Sequence, residues 1–219
     1  MSFDVMLRQM TAGFGQTCLI FFMTLIFSLP LGMLVYFGRV SRIKPISWIV
    51  KIYISIMRGT PLMLQLLVWY FAPYYLWQMN IGGYKLTAIL LGCSLNYAAY
   101  FAEIYRAGVQ SIDHGQHEAA KTLGFSRWQT MRIIIIPQTI ARVIPPVSNE
   151  VITLIKDTAL VTAIGVGELL KAAKDANNRD VNPTAFFIAA VIYLALTFLL
   201  TLLSQWCEKR FSRHERKEA

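Results

Sequence analysis

Residues 185–207 read AFFIAAVIYLALTFLLTLLSQWC, without a charged side chain from end to end. As a helix this stretch is about 34 Å long, enough to cross a hydrocarbon core of about 30 Å. Inside lipid every backbone N–H and C=O needs an internal partner, which leaves helices and closed barrels as the spanning structures. Barrel strands show ten-residue alternation, and none is visible here. The fold class expected is all-α, an integral membrane helical bundle. Working outward, four further stretches reach spanning length: residues 14–37, 54–77, 86–104 and 133–164. Pro61 and Pro73 interrupt the second. The fourth is irregular, holding Pro137, Pro145, Pro146, Glu150, Lys156 and Asp157. The expectation is five spans forming one domain over residues 1–219.

The bulk numbers agree. Hydrophobic residues make up 56% and charged residues 15%, whereas a soluble domain is about a quarter charged. Mean hydropathy is +0.49. The net charge of +9 does not imply a nucleic-acid partner, because the bases lie between apolar runs and not on one soluble face. They report topology instead. Arg39, Arg42, Lys44, Lys51 and Arg58 fall in one loop region. Arg106, Lys121, Arg127, Arg132 and Arg142 fall in the next on that side. Lys209, Arg210, Arg213, Arg216 and Lys217 form the tail. The opposite side holds only Arg8, Lys85, Lys171, Lys174 and Arg179. By the positive-inside rule the C-terminus is cytoplasmic and the N-terminus outside, which suits an odd number of spans. The first run lacks a clear cleavage site and reads as a retained span. Cys18, Cys93 and Cys207 are widely spaced in apolar stretches and read as packing residues, with neither a disulfide framework nor a metal site.

Residues 106–136 form a cytoplasmic insert too long for a minimal helix connection. Asp113 with Gln116, and again Ser126 with Gln129, match the capping-box spacing that starts a helix. The first short helix should end near Gly124, and the second should run from Arg127 and stop at Pro137. Ala119 and Ala120 give this knob a low-relief surface edged by Glu118 and Arg127. Two uses fit: a knob that enters a partner's groove, or a plain helical hairpin.

Three segments bear a specific resemblance. Residues 115–138, GQHEAAKTLGFSRWQTMRIIIIPQ, resemble the EAA motif of ABC importer permeases in the polar amino-acid branch. Residues 58–62, RGTPL, resemble that branch's span-two segment. Residues 149–160, NEVITLIKDTAL, resemble its KDTSL stretch, with Ala159 where Ser is usual. The order matches along most of the chain. The resemblance implies a permease of the bacterial inner membrane that carries a polar amino acid, basic ones such as arginine, lysine or histidine included. It implies that the insert is a coupling helix, with Gly115, Gln116, His117, Glu118, Ala119, Ala120, Lys121, Leu123, Gly124, Phe125 and Arg127 at the surface that meets an ATP-binding subunit. It also implies two such ATPase subunits, a second permease (identical or paralogous), and an external solute-binding protein. The chain has no G-x-x-x-x-G-K-[ST] phosphate loop. It is therefore not expected to be an enzyme or to hold a cofactor; ATP and Mg belong to the partner.

Polar residues at membrane depth usually face a cavity, a pathway or a counter-charge. The substrate candidates are Gln65, Asn96, Asn149, Glu150, Lys156, Asp157 and Thr158. Lys156 and Asp157 match the two ends of an amino acid, or form a structural ion pair. Glu150 and Asp157 are seven apart, share a helix face, and together favour a cationic side chain. Glu103 and Arg106 read as a helix-end salt bridge. His114 and His117 lack the further ligands a metal needs. Trp69, Trp77, Trp206, Tyr74 and Tyr75 read as interface anchors, and residues 167–180 as an amphipathic outer helix. A secondary transporter would show internal repeats, and a membrane enzyme would show a nucleophile, metal cluster or acid–base pair. Neither pattern is found. Permeases of the same superfamily for methionine, metals or osmolytes are opposed only by the branch-level spelling.

Overall fold

A computed structural model describes residues 3–181 and 183–211. The tail bases Arg213, Arg216 and Lys217 lie outside them. Among the described residues every regular element is helical. The long first helix, α1 (Phe3–Arg39), passes through Pro30 without stopping. It is followed by α2 (Lys44–Gly59), α3 (Leu62–Trp77) and α4 (Lys85–Gln110). The insert contributes α5 (His114–Thr122) and the short α6 (Arg127–Gln129), which opens into a π-helical stretch, Thr130–Ile135. The chain continues as α7 (Ile136–Asp157), a 3₁₀ stretch (Thr158–Ile164), α8 (Leu169–Asp180) and α9 (Thr184–Phe211). By length and apolarity Leu7–Arg39 and Thr184–Phe211 can each cross a membrane, and α2 with α3 make one more candidate if taken as a broken span.

Small residues bring the helices together. A Cβ on Gly32 of α1 would lie 2.8 Å from the Phe101 Cβ and 3.2 Å from the Ala98 carbonyl oxygen on α4. Only glycine permits that approach, and close backbone contact replaces the hydrophobic driving force that lipid does not supply. The core then gathers Ile20, Phe21, Leu66, Ile89, Tyr97, Phe101, Leu154 and Ile155 from α1, α3, α4 and α7. A second cluster, Met10, Leu169, Ala173, Ala185 and Ala189, seats α8 against α1 and α9. Glu168 locks that junction. Fully buried, it accepts the Leu170 and Lys171 N–H groups at 2.6 and 2.7 Å and the Tyr193 hydroxyl at 3.0 Å. The amphipathic helix expected over 167–180 is thus present as α8, with one face buried. Along α9, Phe187, Val191, Leu194, Phe198, Leu202 and Trp206 remain exposed, as expected of a surface facing lipid or another apolar chain.

Several boundaries move. The first helix begins at Phe3, ahead of residue 14, and α4 runs on to Gln110, into the first residues of the stretch read as the insert. The stretch 54–77 is not one rod: α2 and α3 meet at a 111° bend at Thr60–Pro61. Pro61 has no N–H to continue α2, and the freed carbonyls are capped by side chains. The Met57 carbonyl accepts from Gln65 Nε2 at 3.0 Å and Asn96 Nδ2 at 2.9 Å; the Thr60 carbonyl accepts from Gln65 Nε2 at 3.1 Å. Pro73 causes no break and stays inside α3. Pro137 does not stop its helix either. It sits in the first turn of α7, where a missing N–H costs nothing, and the preceding π stretch absorbs the change in register. At the other end the helix tightens to 3₁₀ at Thr158 and closes on Gly165 at φ +73°. Trp69, expected at the interface, instead packs over Gly92. The three cysteines are unpaired.

Candidate substrate cavity and coupling surface

The bend between α2 and α3 opens beside α4 and α7, and a cavity of about 350 Å³ lies there. Its wall includes Thr60 and Pro61 of the bend, Asn96, Tyr97 and Tyr100 of α4, and Glu150, Thr153 and Asp157 of α7. The spacing of seven places both carboxylates on this wall. Asp157 is held in place by the buried Tyr97, whose hydroxyl donates to Oδ2 at 2.7 Å. Positions 96, 97 and 100 sit on one face of α4, and 150, 153 and 157 on one face of α7. The cavity can take an elongated polar solute and favours a cationic end.

The other candidates divide. Asn96 lines the cavity, but its amide is engaged by Met57 and by Gln65 Oε1 at 3.0 Å. Gln65 is buried behind it, with its NH₂ committed to the bend. Thr158 is buried and donates to the Ile155 carbonyl at 2.7 Å. Asn149 and Lys156 are exposed and outside the cavity lining. Lys156 and Asp157 make no ion pair, because the regular helix turns adjacent residues about 100° apart. An acid–base pair of neighbours, one reading of the sequence, is therefore not what the cavity presents. Tyr97, Tyr100 and Thr153 went unmentioned in the sequence reading, although their spacing from Asn96, Glu150 and Asp157 carries the signal.

A second chamber of about 480 Å³ adjoins on the side of the insert, lined by Arg58, Glu103, Arg106, Ser111, Arg142 and others. Tyr100 and Glu150 line both chambers. Glu103 pairs with Arg106 at 2.6 Å, as the spacing of three predicts, and also with Arg39 at 3.7 Å.

The insert is a compact knob. Asp113 caps α5 by accepting the Gly115 N–H at 2.6 Å; Gln116 does not complete a capping box there and instead faces Gln138 of α7 at 3.4 Å. At the far end the Phe125 N–H reaches the Ala120 carbonyl and the Gly124 N–H the Lys121 carbonyl, with Gly124 at φ +79°. This is the glycine stop expected. The Ser126–Gln129 capping box is complete. His117, Lys121, Phe125 and Arg127 come together around a groove of about 450 Å³. Gly115, Gln116, Glu118, Ala119, Leu123 and Gly124 are exposed. Ala120 is buried and so offers no surface, while Trp128, not singled out in the sequence, is 69% exposed. The His114 and His117 rings lie 5.9 Å apart, tilted by 49°, and no group of three metal-ligating side chains occurs among the described residues. The knob is tied to the cavity wall: Arg142 of α7 donates to the Ser111 carbonyl and, at 3.2 Å, to its hydroxyl.

A family model described as "Binding-protein-dependent transport system inner membrane component" matches residues 7–213. The chain belongs to that family. Among similar curated proteins, the probable amino-acid ABC transporter permease YckA of Bacillus subtilis (strain 168) is 39% identical over 204 residues, covering 92% of this chain and 88% of its own. The arginine transport system permease ArtQ of the same organism is 36% identical, with 93% and 92% covered. The histidine/lysine/arginine/ornithine permease HisM of Escherichia coli (strain K12) is 36% identical, with 92% and 88% covered. Among solved structures, an amino acid ABC transporter crystallised with histidines superposes at a TM-score of 0.87 and 33% identity, over 96% of this chain and 99% of that one. The MetNI methionine ABC transporter in an inward-facing conformation superposes at 0.76 with 21% identity, over 97% and 100%; that likeness is one of fold. The membrane-bundle reading of the sequence thus stands on family and fold together.

Proposed function

We propose that this chain is the transmembrane permease subunit of an ATP-driven importer that passes a polar amino acid, cationic ones included, from an external solute-binding protein to the cytoplasm. The observation that carries the reading is the acidic cavity at the helix bend, where Glu150 and Asp157 share a wall with Tyr97 and Tyr100. Its supports are the ArtQ and HisM relatives, whose names specify arginine and histidine/lysine/arginine/ornithine. The permease does no bond chemistry. Two cytoplasmic ATP-binding subunits hold ATP and Mg, and a second permease, identical or paralogous, completes the pathway. Their closure pulls on the insert, chiefly through His117, Lys121, Phe125 and Arg127 with the exposed Glu118, and α7 transmits the movement to the cavity wall. The cavity then alternates between the two sides of the bacterial inner membrane.

In this reading residues 1–219 form a single five-span domain with the N-terminus outside and the C-terminus cytoplasmic. The spans comprise α1, the bent α2–α3 pair, α4, α7 and α9. The 3₁₀ stretch and α8 sit at the outer face, near the binding protein. Asp157→Asn in the assembled transporter tests the cationic preference. Uptake of arginine or lysine should fall more than uptake of glutamine; equal loss for all three would sink it.

A further inference from the structure

Both charged groups on the inner cavity wall are acids, yet every α-amino acid carries a carboxylate that those acids repel. A counter-charge for that end has to come from outside the cavity lining. Arg58 answers that need. It stands in the last turn of α2, exposed, with its guanidinium carbon 5.2 Å from the centroid of the Tyr100 ring. Tyr100 is one of the two residues shared by both chambers; Arg58 lines the insert-side one beside Glu150, the other shared residue. The neighbouring bases are engaged. Arg106 is bonded to Glu103 and Gln110, Arg142 to Ser111, and Arg39 lies 3.7 Å from Glu103. Arg58 makes no ion pair with a described carboxylate, and the aromatic face holds its planar fork ready for a two-pronged contact.

We propose that Arg58 is a substrate-binding residue that receives the α-carboxylate of the amino acid as it leaves the inner cavity for the cytoplasmic chamber, while Glu150, at the boundary, keeps hold of the ammonium. The proposal rests on the importer reading above and adds a residue that neither its motif nor the acidic cavity assigns to the substrate. The boundary at Tyr100 and Glu150 then recognises the zwitterion common to all amino acids, and Asp157, deeper in, bears on the side chain.

The test is equilibrium binding to the permease–ATPase complex in lipid nanodiscs without the solute-binding protein. The probes are L-arginine, L-lysine, L-histidine and L-glutamine, each beside its decarboxylated counterpart (agmatine, cadaverine, histamine, 4-aminobutanamide). Loss of a charged hydrogen-bonding partner predicts that Arg58→Gln weakens the tightest amino acid about ten- to a hundredfold. Its decarboxylated counterpart should stay within about twofold. Arg58→Lys should restore part of the discrimination, which a merely structural role would not. Glu150→Gln should weaken both members of the pair. If Arg58→Gln leaves the amino acid unchanged, or weakens both members equally, the inference fails, while a surviving Glu150→Gln effect leaves the importer reading intact. If the wild-type complex binds none of the four amino acids, both fail.

Discussion

Replacing Asn96 with leucine tests how the bend between α2 and α3 is held at membrane depth. Asn96 is only 4% exposed, and the change keeps the branch at Cγ, with some added bulk, while deleting two hydrogen bonds, to the Met57 carbonyl at 2.9 Å and to Gln65 Oε1 at 3.0 Å. The Met57 carbonyl keeps Gln65 Nε2 at 3.0 Å; Gln65 Oε1 is left with no donor. Side-chain bonds between membrane helices are worth about 0.6 kcal/mol on average and up to about 1.7. A buried orphan acceptor costs about 1–3 kcal/mol. Counting the Met57 bond and the Gln65 orphan, the sum is about 2–5 kcal/mol, which for a chain of this size lowers the thermal midpoint by roughly 4–20 °C. The assay is thermal unfolding of the detergent-purified transporter followed by size-exclusion fluorescence. An Asn96→Leu midpoint within about 1 °C of wild type would show that water or lipid caps the bend and refute the reasoning.

Gly32→Val should destabilise the bundle by about 1–3 kcal/mol by overpacking against Phe101 and Ala98. Gly15→Val, whose Cβ meets nothing within 4 Å, should change the melting midpoint little; equal effects at the two sites would contradict the α1–α4 packing. Glu168→Ala removes the acceptor for two backbone N–H groups and a tyrosine hydroxyl. Losing such a cap costs about 0.5–2 kcal/mol, so amide exchange should accelerate across residues 169–180 and stay slow in α4; protection unchanged in α8 would show that its packing alone suffices.

What the sequence made legible followed from local chemistry. The uncharged run at 185–207 has one solution in lipid, and it is α9. Gly124 ends α5 and Ser126–Gln129 starts the next turn, because both signals act within four residues. The spacing of seven put Glu150 and Asp157 on one wall, because α7 is regular between them despite Pro145 and Pro146. What stayed hidden depends on partners distant in the chain. Pro61 and Pro73 are the same residue in similar surroundings. The chain breaks at the first because Gln65 and Asn96, the latter from another helix, stand ready to cap the opened carbonyls. Asn96 and Gln65 therefore read as ligands, whereas their amides serve the bend. Pro137 read as a stop because nothing local announces a π turn ahead of it. Lys156 and Asp157 could pair only if the helix broke between them, and it stays regular through Asp157, tightening only from Thr158.

The coupling claim is tested most directly at Glu118, whose side chain is 77% exposed and 3.7 Å from that of His114, so that Glu118→Arg changes the knob's surface without disturbing its packing. The measurement is amino-acid uptake and substrate-stimulated ATP hydrolysis in proteoliposomes containing the permease, its ATP-binding subunits and the solute-binding protein. The account predicts that the variant permease inserts at wild-type levels, fails to retain the ATP-binding subunits, and loses both activities together. Uptake that continues unchanged without any ATPase would contradict it and point to a carrier driven by an ion gradient.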